Sequence, residues 1–122
     1  MKNILYYLLM IFVFAVGCQR QNKQPNLKEL GQSLYLDNNC ITCHSIDGTE
    51  MIGPSLKDIF GTVVYHTDGT NTVVNEDYII ESIIYPHKKI VKGYPDQMNS
   101  YKDLLSDHEI KALVEYIKNL SN

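Results

Sequence analysis

The chain of 122 residues lacks a second cysteine pair, an excess of basic residues and a long hydrophobic run. Its 11 Lys and Arg residues are outnumbered by 14 Asp and Glu residues, and the net charge of −3 excludes an ordinary nucleic-acid binder. The apolar run from Ile4 to Gly17 is shorter than the about 20 residues that a membrane-spanning helix needs. Internal repeats and low-complexity tracts are also missing from the sequence. The length therefore predicts one small domain rather than two.

Two of the three cysteines lie in the run Cys40-Ile41-Thr42-Cys43-His44, which is the C-x-x-C-H pattern of covalent haem c attachment. Two thiols at this spacing reach the two vinyl groups of one porphyrin, and the adjacent imidazole of His44 can fill the proximal axial site of the iron. One covalently bound haem c would also supply much of the core of so small a domain.

Two other sites use a C-x-x-C pair. A thioredoxin-like redox pair requires a βαβ context, which the sequence pattern does not indicate. A tetrahedral zinc site requires about four nitrogen or sulfur ligands, and no second cysteine pair is present to complete it.

The third cysteine follows an export signal. Lys2, the apolar run and a small-residue end predict a secretory signal, and Ala15-Val16-Gly17-Cys18 resembles the lipobox of bacterial lipoproteins. We therefore expect a lipoprotein signal peptide over 1–17, a lipidated Cys18 and a flexible tether over 18–26, and an exported protein held on the membrane and facing the periplasm or the cell exterior. The alternative is an uncleaved anchor. Lipid on Cys18 and haem on the other two cysteines leave no thiol for a disulfide.

Helical periodicity marks both ends of the domain. Leu27, Leu30, Leu34 and Tyr35 share one helical face, and this helix is expected to end near Asn38-Asn39. Near the C-terminus Ser106 and Glu109 form an S-x-x-E capping box. One apolar stripe follows it, made of Ile110, Leu113, Val114, Ile117 and Leu120.

Shorter elements are expected between these helices. Ser55–Phe60 is predicted to be a short helical piece. The β-rich segments Thr62–His66 and Thr70–Val74 flank Asp68-Gly69, which predicts a hairpin. Asn75 is expected to cap a helix that carries Ile79, Ile80, Ile83 and Ile84 and that Pro86 stops.

The order of these elements resembles a class I monohaem cytochrome c. The stretches HSIDGT, GPSLKDIFG, EDYIIESIIYPHKKIVKGYPDQM and LLSDHEIKALVEYIKNL are similar to the cytochrome c domain of cytochrome c oxidase subunit II. The resemblance runs from about Leu27 to Leu120 and lacks the copper-binding domain that precedes this module in those subunits. It implies a mostly α-helical class I cytochrome c fold over 27–122, wrapped around one covalent haem, with a possible short β-hairpin.

The resemblance also implies roles for single residues. His44 matches the proximal ligand and Met98 the distal ligand, while the carbonyl of Pro54 would accept the Nδ1–H of His44. Tyr94 and Tyr101 flank the methionine and are expected to pack on the haem or bond a propionate. The resemblance places Gly31 and Tyr116 where the terminal helices cross. The family usually has proline after the methionine, and Asn99 at that position implies a less rigid loop.

The residues themselves also favour Met98 as the ligand. Met51 lies seven residues after His44, too near to reach the opposite haem face, whereas Met98 follows a Gly-Tyr-Pro-Asp loop 54 residues away. The remaining histidines, at 66, 87 and 108, are expected to be solvated or capping side chains. Lys88, Lys89 and Lys92 form a basic cluster that is either a solvated face or a docking border beside the haem edge.

The predicted function is one-electron transfer by a membrane-anchored carrier rather than an enzyme. His/Met ligation leaves no open iron site for oxygen or peroxide, and thioether sulfur raises the reduction potential. The expected partners are redox proteins, such as a quinol-oxidising complex, a dehydrogenase, or a terminal oxidase or reductase, with the protein as a monomer or as a subunit of such a complex. The alternative is a five-coordinate haem that binds gas or reduces peroxide, which would hold if Met98 were not a ligand.

Overall fold

The computed structural model describes residues 26–120, so the predicted signal peptide, Cys18 and all but the last residue of the tether lie outside the described residues. Within that range three α-helices are joined by a hairpin and short turns. The α-helices are α1 (Leu27–Asp37), α2 (Glu76–Ile84) and α3 (Asp107–Lys118), the strands are β1 (Val63–Tyr65) and β2 (Asn71–Val73), and 3₁₀ turns cover Cys40–Thr42 and Pro86–Lys88.

Local capping explains where the helices begin. The side chains of Asn26 and Ser106 accept hydrogen bonds from the backbone of Glu29 and Glu109, and each glutamate bonds back to the cap residue. Asn75 caps α2 in the same way by accepting from the backbone N–H of Tyr78. The predicted caps of α2 and α3 are confirmed, and α2 ends at Ile84, just before Pro86.

The crossing of α1 and α3 forms the centre of the core. A Cβ added at Gly31 would lie 2.7 Å from the Cβ of Tyr116 and closer still to the backbone carbonyl of Ala112, so only glycine permits this approach. Tyr35 lies against Tyr116 with ring centroids 5.6 Å apart. The predicted crossing of the two helices at Gly31 and Tyr116 is therefore present.

The hairpin is also confirmed, with strands one residue shorter at each end than predicted. Its strands pair antiparallel, with Val64 opposite Thr72. The outer edge of β1 is covered by residues 90–92, because the Lys92 N–H donates to the Tyr65 carbonyl at 2.8 Å. This pairing fastens the segment that leads to Met98 onto the hairpin.

The short helix predicted over Ser55–Phe60 is wrong, because these residues form turns. Asp58 has a φ of +53°, in the left-handed region, which a continuous right-handed helix does not allow. The Ser55 hydroxyl accepts from the Lys57 N–H and donates to the Ser45 carbonyl, so side-chain hydrogen bonds replace the helical ones.

The expectation that all three remaining histidines are solvated or capping is wrong for His66. His66 is only 2% exposed, beneath the bridge that it forms with Val91, and its Nε2 lies 3.1 Å from the Thr72 hydroxyl. His87 and His108 are exposed, as expected. The sequence around His66 does not reveal this burial, because the covering segment lies more than twenty residues further along the chain.

Among residues 26–120, no helix combines the length and the apolar character needed to cross a membrane.

Candidate functional site

A cavity of about 400 Å³ lies between the three helices, the hairpin and the methionine-bearing segment. Its size falls in the range of cavities that hold small molecules and cofactors. Its walls are largely apolar and include Ile79, Ile83 and Leu113. All the site residues expected from the sequence in the described range line it, namely Cys40, Cys43, His44, Pro54, Tyr94, Met98 and Tyr101.

The tight turn after α1 brings the C-x-x-C-H residues together. Asn39 takes a left-handed conformation with φ of +58°, and a 3₁₀ turn over Cys40–Thr42 follows. The N–H groups of Cys43 and His44 both donate to the Cys40 carbonyl, at 3.2 and 2.9 Å. This turn places both thiols and the imidazole on the wall of one cavity.

The His44 ring is held by the Gly53-Pro54 segment. Its Nδ1 lies 2.8 Å from the Pro54 carbonyl, which can only accept, so Nδ1 carries the proton and Nε2 keeps its lone pair. A Cβ added at Gly53 would lie 2.5–2.9 Å from three ring atoms, so the glycine backbone lies directly against the imidazole. The arrangement leaves Nε2 as the nitrogen able to bind a metal.

The sequence reasoning missed Tyr35 as a site residue. Tyr35 is 1% exposed and lines the cavity, and its hydroxyl donates a hydrogen bond to the backbone carbonyl of His44. Burial raises the pKa of this hydroxyl, so it stays protonated as a donor at neutral pH. The sequence placed Tyr35 on the apolar face of α1, four residues after Gly31, and both signals predict packing rather than a hydrogen bond.

The two methionines of the described range have different surroundings. Met98 is half-buried, lines the cavity and packs against the core, whereas Met51 is 39% exposed and does not line it. The segment after Met98 is tied to the end of α2, because the Ser100 hydroxyl donates to the Ile84 carbonyl at 2.7 Å and the Tyr101 N–H to the Ile83 carbonyl at 3.0 Å. These bonds give the loop support that Asn99, in place of a proline, does not provide.

The two tyrosines beside Met98 differ in what they can do. Tyr94 is half-buried on the cavity wall. The hydroxyl of Tyr101 donates to the Asn38 carbonyl at 3.0 Å, so its one proton is engaged within the protein in the described structure. That either tyrosine packs on the haem or bonds a propionate stays a prediction. Burial also raises the pKa of Tyr101. Its ring remains available for packing on a cavity occupant.

The positive charge of the basic cluster of Lys88, Lys89 and Lys92 is partly neutralised by a nearby carboxylate. Lys88 and Lys89 both pair with Glu81 on α2, with a distance of 2.7 Å for Lys89, and their hydrogen bonds lower the pKa of the Glu81 carboxyl. Lys89 also lines the cavity, whereas Lys92 is exposed. One carboxylate therefore offsets part of the positive charge of this cluster.

The structure supports neither of the two alternatives for the cysteine pair, a thioredoxin-like redox pair or a zinc site. Burial raises the pKa of the Cys40 thiol, whereas a redox-active C-x-x-C pair needs a lowered one. Within residues 26–120, no group of three or more histidine, cysteine and acidic side chains converges to hold a metal ion. The strands of this range form an antiparallel hairpin and not a βαβ unit.

The residues around the cavity fit a haem c. They offer two thiols for covalent attachment, an imidazole whose Nε2 can bind iron, a thioether as a second ligand, and apolar walls for the porphyrin. The backbone cradle at Gly53, which any side chain would fill, holds the imidazole as such a ligand requires.

Comparison with known proteins points the same way. The family model described as Cytochrome c matches residues 28–121. A stretch of 36 residues is 44% identical to cytochrome c-551 of Stutzerimonas stutzeri and covers 30% of this chain and 34% of that protein. The match thus spans about a third of the length of that relative.

Proposed function

The chain belongs to the cytochrome c family, and from that premise we propose that it is a single-electron carrier whose haem iron is held by His44 and Met98. Family membership implies a covalently attached haem c, and members of the family are electron carriers rather than enzymes. The observation that carries the proposal is the meeting of Cys40, Cys43, His44 and Met98 on one apolar cavity. When bound there, the haem supplies an iron that gains and loses one electron.

The protein residues have separate tasks in this proposal. Cys40 and Cys43 form the two thioethers, and His44 binds the iron through Nε2 while its Nδ1–H donates to the Pro54 carbonyl at 2.8 Å. A histidine held in this way is a stronger ligand in a fixed orientation. Met98 completes the ligand set and prevents oxygen or peroxide from binding. The apolar walls exclude water, so little solvent rearranges when the charge on the iron changes.

Replacing Met98 by alanine tests this function directly. We expect Met98→Ala to lower the reduction potential and to permit carbon monoxide binding to the ferrous form, because the thioether that favours ferrous iron and closes the site is lost. The domain should still fold, with a loss of about 2 kcal/mol, since the half-buried side chain leaves a small cavity. Ferric and ferrous absorbance spectra with and without carbon monoxide measure both effects.

Met51→Ala is the matched control, because this methionine is exposed and away from the cavity. It should leave the spectra and the potential unchanged. The electron-carrier proposal is contradicted if the wild-type protein already binds carbon monoxide quickly and Met98→Ala alters neither spectrum nor potential. The five-coordinate alternative, a haem that binds gas or reduces peroxide, would then hold.

We further propose that the carrier is a lipoprotein that works beside respiratory complexes outside the cytoplasm. The support is the lipobox-like sequence ending at Cys18 and the likeness of four internal stretches to the cytochrome c domain of oxidase subunit II. The partners on this proposal are a quinol-oxidising complex or dehydrogenase as donor and a terminal oxidase or reductase as acceptor. Co-purification with such a complex would separate a bound subunit from a free carrier.

Replacing Cys18 by alanine tests the anchor. Cys18→Ala should remove lipidation while the domain over 27–122 still folds and binds haem, so the protein should appear in the soluble exported fraction or as an uncut precursor. Fractionation with haem staining and mass measurement follows both outcomes. Normal processing with full membrane retention would contradict lipidation and favour the uncleaved anchor.

A further inference from the structure

We infer that Tyr35 is a positioning residue for the axial histidine and that its hydroxyl fixes the backbone from which the His44 imidazole extends. This inference rests on the proposed role of His44 as an iron ligand. Tyr35 lies on α1, nine residues before His44, and its hydroxyl donates to the His44 carbonyl.

Three hydrogen bonds reach His44 from three different directions. Its N–H donates to the Cys40 carbonyl at 2.9 Å, its Nδ1–H donates to the Pro54 carbonyl at 2.8 Å, and its carbonyl accepts from Tyr35. The first two bonds come from the turns that flank the histidine. The bond from Tyr35 is different, because it reaches His44 from a helix.

The helix that carries Tyr35 is fixed by its close crossing with α3. Tyr35 is 1% exposed and its ring lies against Tyr116, one helical turn from the crossing of Gly31 with Ala112. Because this packing fixes the Tyr35 hydroxyl, the hydroxyl does not move with the turn over Cys40–Thr42 that leads to His44. The hydrogen bond therefore transmits the position of the helix crossing to the backbone of the ligand.

The orientation of an axial imidazole affects the electronic structure of a ferric haem. Loss of the hydrogen bond from Tyr35 to the His44 carbonyl would let that orientation vary. A purely structural tyrosine would affect only stability. The two roles differ in what the Tyr35→Phe variant changes, since phenylalanine keeps the ring packing and removes only the hydroxyl.

The experiment compares Tyr35→Phe with two matched variants in the haem-loaded protein. Tyr116→Phe removes a hydroxyl from the same ring pair, where no hydrogen bond from that hydroxyl is seen within residues 26–120. Tyr101→Phe breaks a hydroxyl-to-carbonyl bond of the same kind, but to Asn38 rather than to the ligand. The readouts are the paramagnetically shifted proton signals of the His44 ring in the ferric protein, the reduction potential, and hydrogen exchange of single backbone amides.

We expect Tyr35→Phe, unlike Tyr116→Phe, to shift the His44 ring signals and the potential, and to speed exchange of the His44 and Gly53 amides about five-fold, as expected for one lost hydrogen bond. Tyr101→Phe is compared only in the exchange readout, because Tyr101 lines the cavity, and it should speed exchange of amides near Asn38 and not of the His44 and Gly53 amides. If Tyr35→Phe lowers stability but leaves the His44 signals and potential at wild-type values, or if Tyr116→Phe moves them equally, the inference is wrong. The absorbance spectrum of the ferric wild-type protein shows whether sulfur binds the iron. If the proposed function fails, sulfur ligation is missing from the wild type, and this outcome is separate from any effect of Tyr35→Phe.

Discussion

At the scale of single residues, the site is organised around the immediate surroundings of His44. A carbonyl fixes its tautomer, a glycine backbone lies against its ring and a tyrosine hydroxyl holds its own carbonyl. None of these groups reacts, yet each limits how the imidazole can move. Contacts within the folded chain therefore hold the histidine in one orientation for metal binding.

Gly53 provides a prediction at this scale. Gly53→Ala should destabilise the protein by about 1–3 kcal/mol, because the added Cβ would overlap the imidazole and push it or the backbone aside. It should also disturb the ferric spectrum, since the ring it displaces is the proposed ligand. Unfolding in denaturant, followed together with the spectrum of the native state, measures both effects.

Gly69→Ala is the control, because Gly69 has open space around it and a φ of +87°. Alanine there adds backbone strain in the hairpin turn but meets no neighbouring atom. Some loss of stability with an unchanged spectrum is therefore expected. A Gly53→Ala variant that matches wild type in both stability and spectrum would contradict the close contact with His44.

At the scale of elements, the sequence predicted what is decided locally. The three helices, the caps at Asn75 and Ser106 and the hairpin around Asp68-Gly69 are all present, because caps and turns depend on residues a few positions apart. The helix predicted over Ser55–Phe60 is absent because a contact from outside this short segment decides its structure. The Ser55 hydroxyl and the Leu56 N–H both donate to the Ser45 carbonyl, and these bonds outweigh the helical propensity.

What the sequence could not predict depends on contacts between distant segments. The burial of His66 requires residues 90–92 to cover β1, and the tie from Tyr35 requires α1 to lie beside the turn at His44. The pairing of Lys88 and Lys89 with Glu81 likewise depends on how the turn after α2 folds back. The contact of Gly31 with Tyr116 and the bond of His44 to the Pro54 carbonyl were exceptions, because the family resemblance supplied contacts that no local pattern indicates.

The crossing of α1 with α3 gives the prediction at this scale. Glycine is about 1 kcal/mol less favourable than alanine inside a helix, so Gly31→Ala should stabilise α1 taken alone. We expect the opposite in the protein, a net loss of about 1–3 kcal/mol, because the new Cβ would push into the Ala112 carbonyl. Chemical denaturation of the haem-loaded protein measures the difference.

Gln32→Ala is the matched control on the exposed face of the same helix. It should change the free energy of unfolding by less than about 0.5 kcal/mol, since its side chain is not packed. If Gly31→Ala were stabilising instead, helix propensity would outweigh the crossing and the two helices would not be in the close contact described.

At the scale of the whole molecule, the cavity is large in relation to the domain around it. All three helices contribute to its walls, so its occupant completes the hydrophobic core around their crossing. At about 24 cal/mol for each Å³ of cavity left empty, a volume of about 400 Å³ corresponds to roughly 10 kcal/mol. That value is comparable with the entire stability of a typical small domain, about 5–15 kcal/mol. The fold should therefore depend on the haem.

The double variant Cys40→Ala/Cys43→Ala tests this dependence. Without thioether bonds the haem should not be retained covalently, and the empty cavity should leave the chain largely unfolded, because its cost is as large as the stability available. Far-UV circular dichroism of the purified variant, together with haem staining after denaturing electrophoresis, measures helix content and attachment. Cys18→Ala serves as the control, since it removes a thiol outside the domain over 27–122 and should leave both measurements at wild-type values. A double variant without haem but with native helix content and cooperative unfolding would mean that the helices and hairpin stabilise one another without the cofactor.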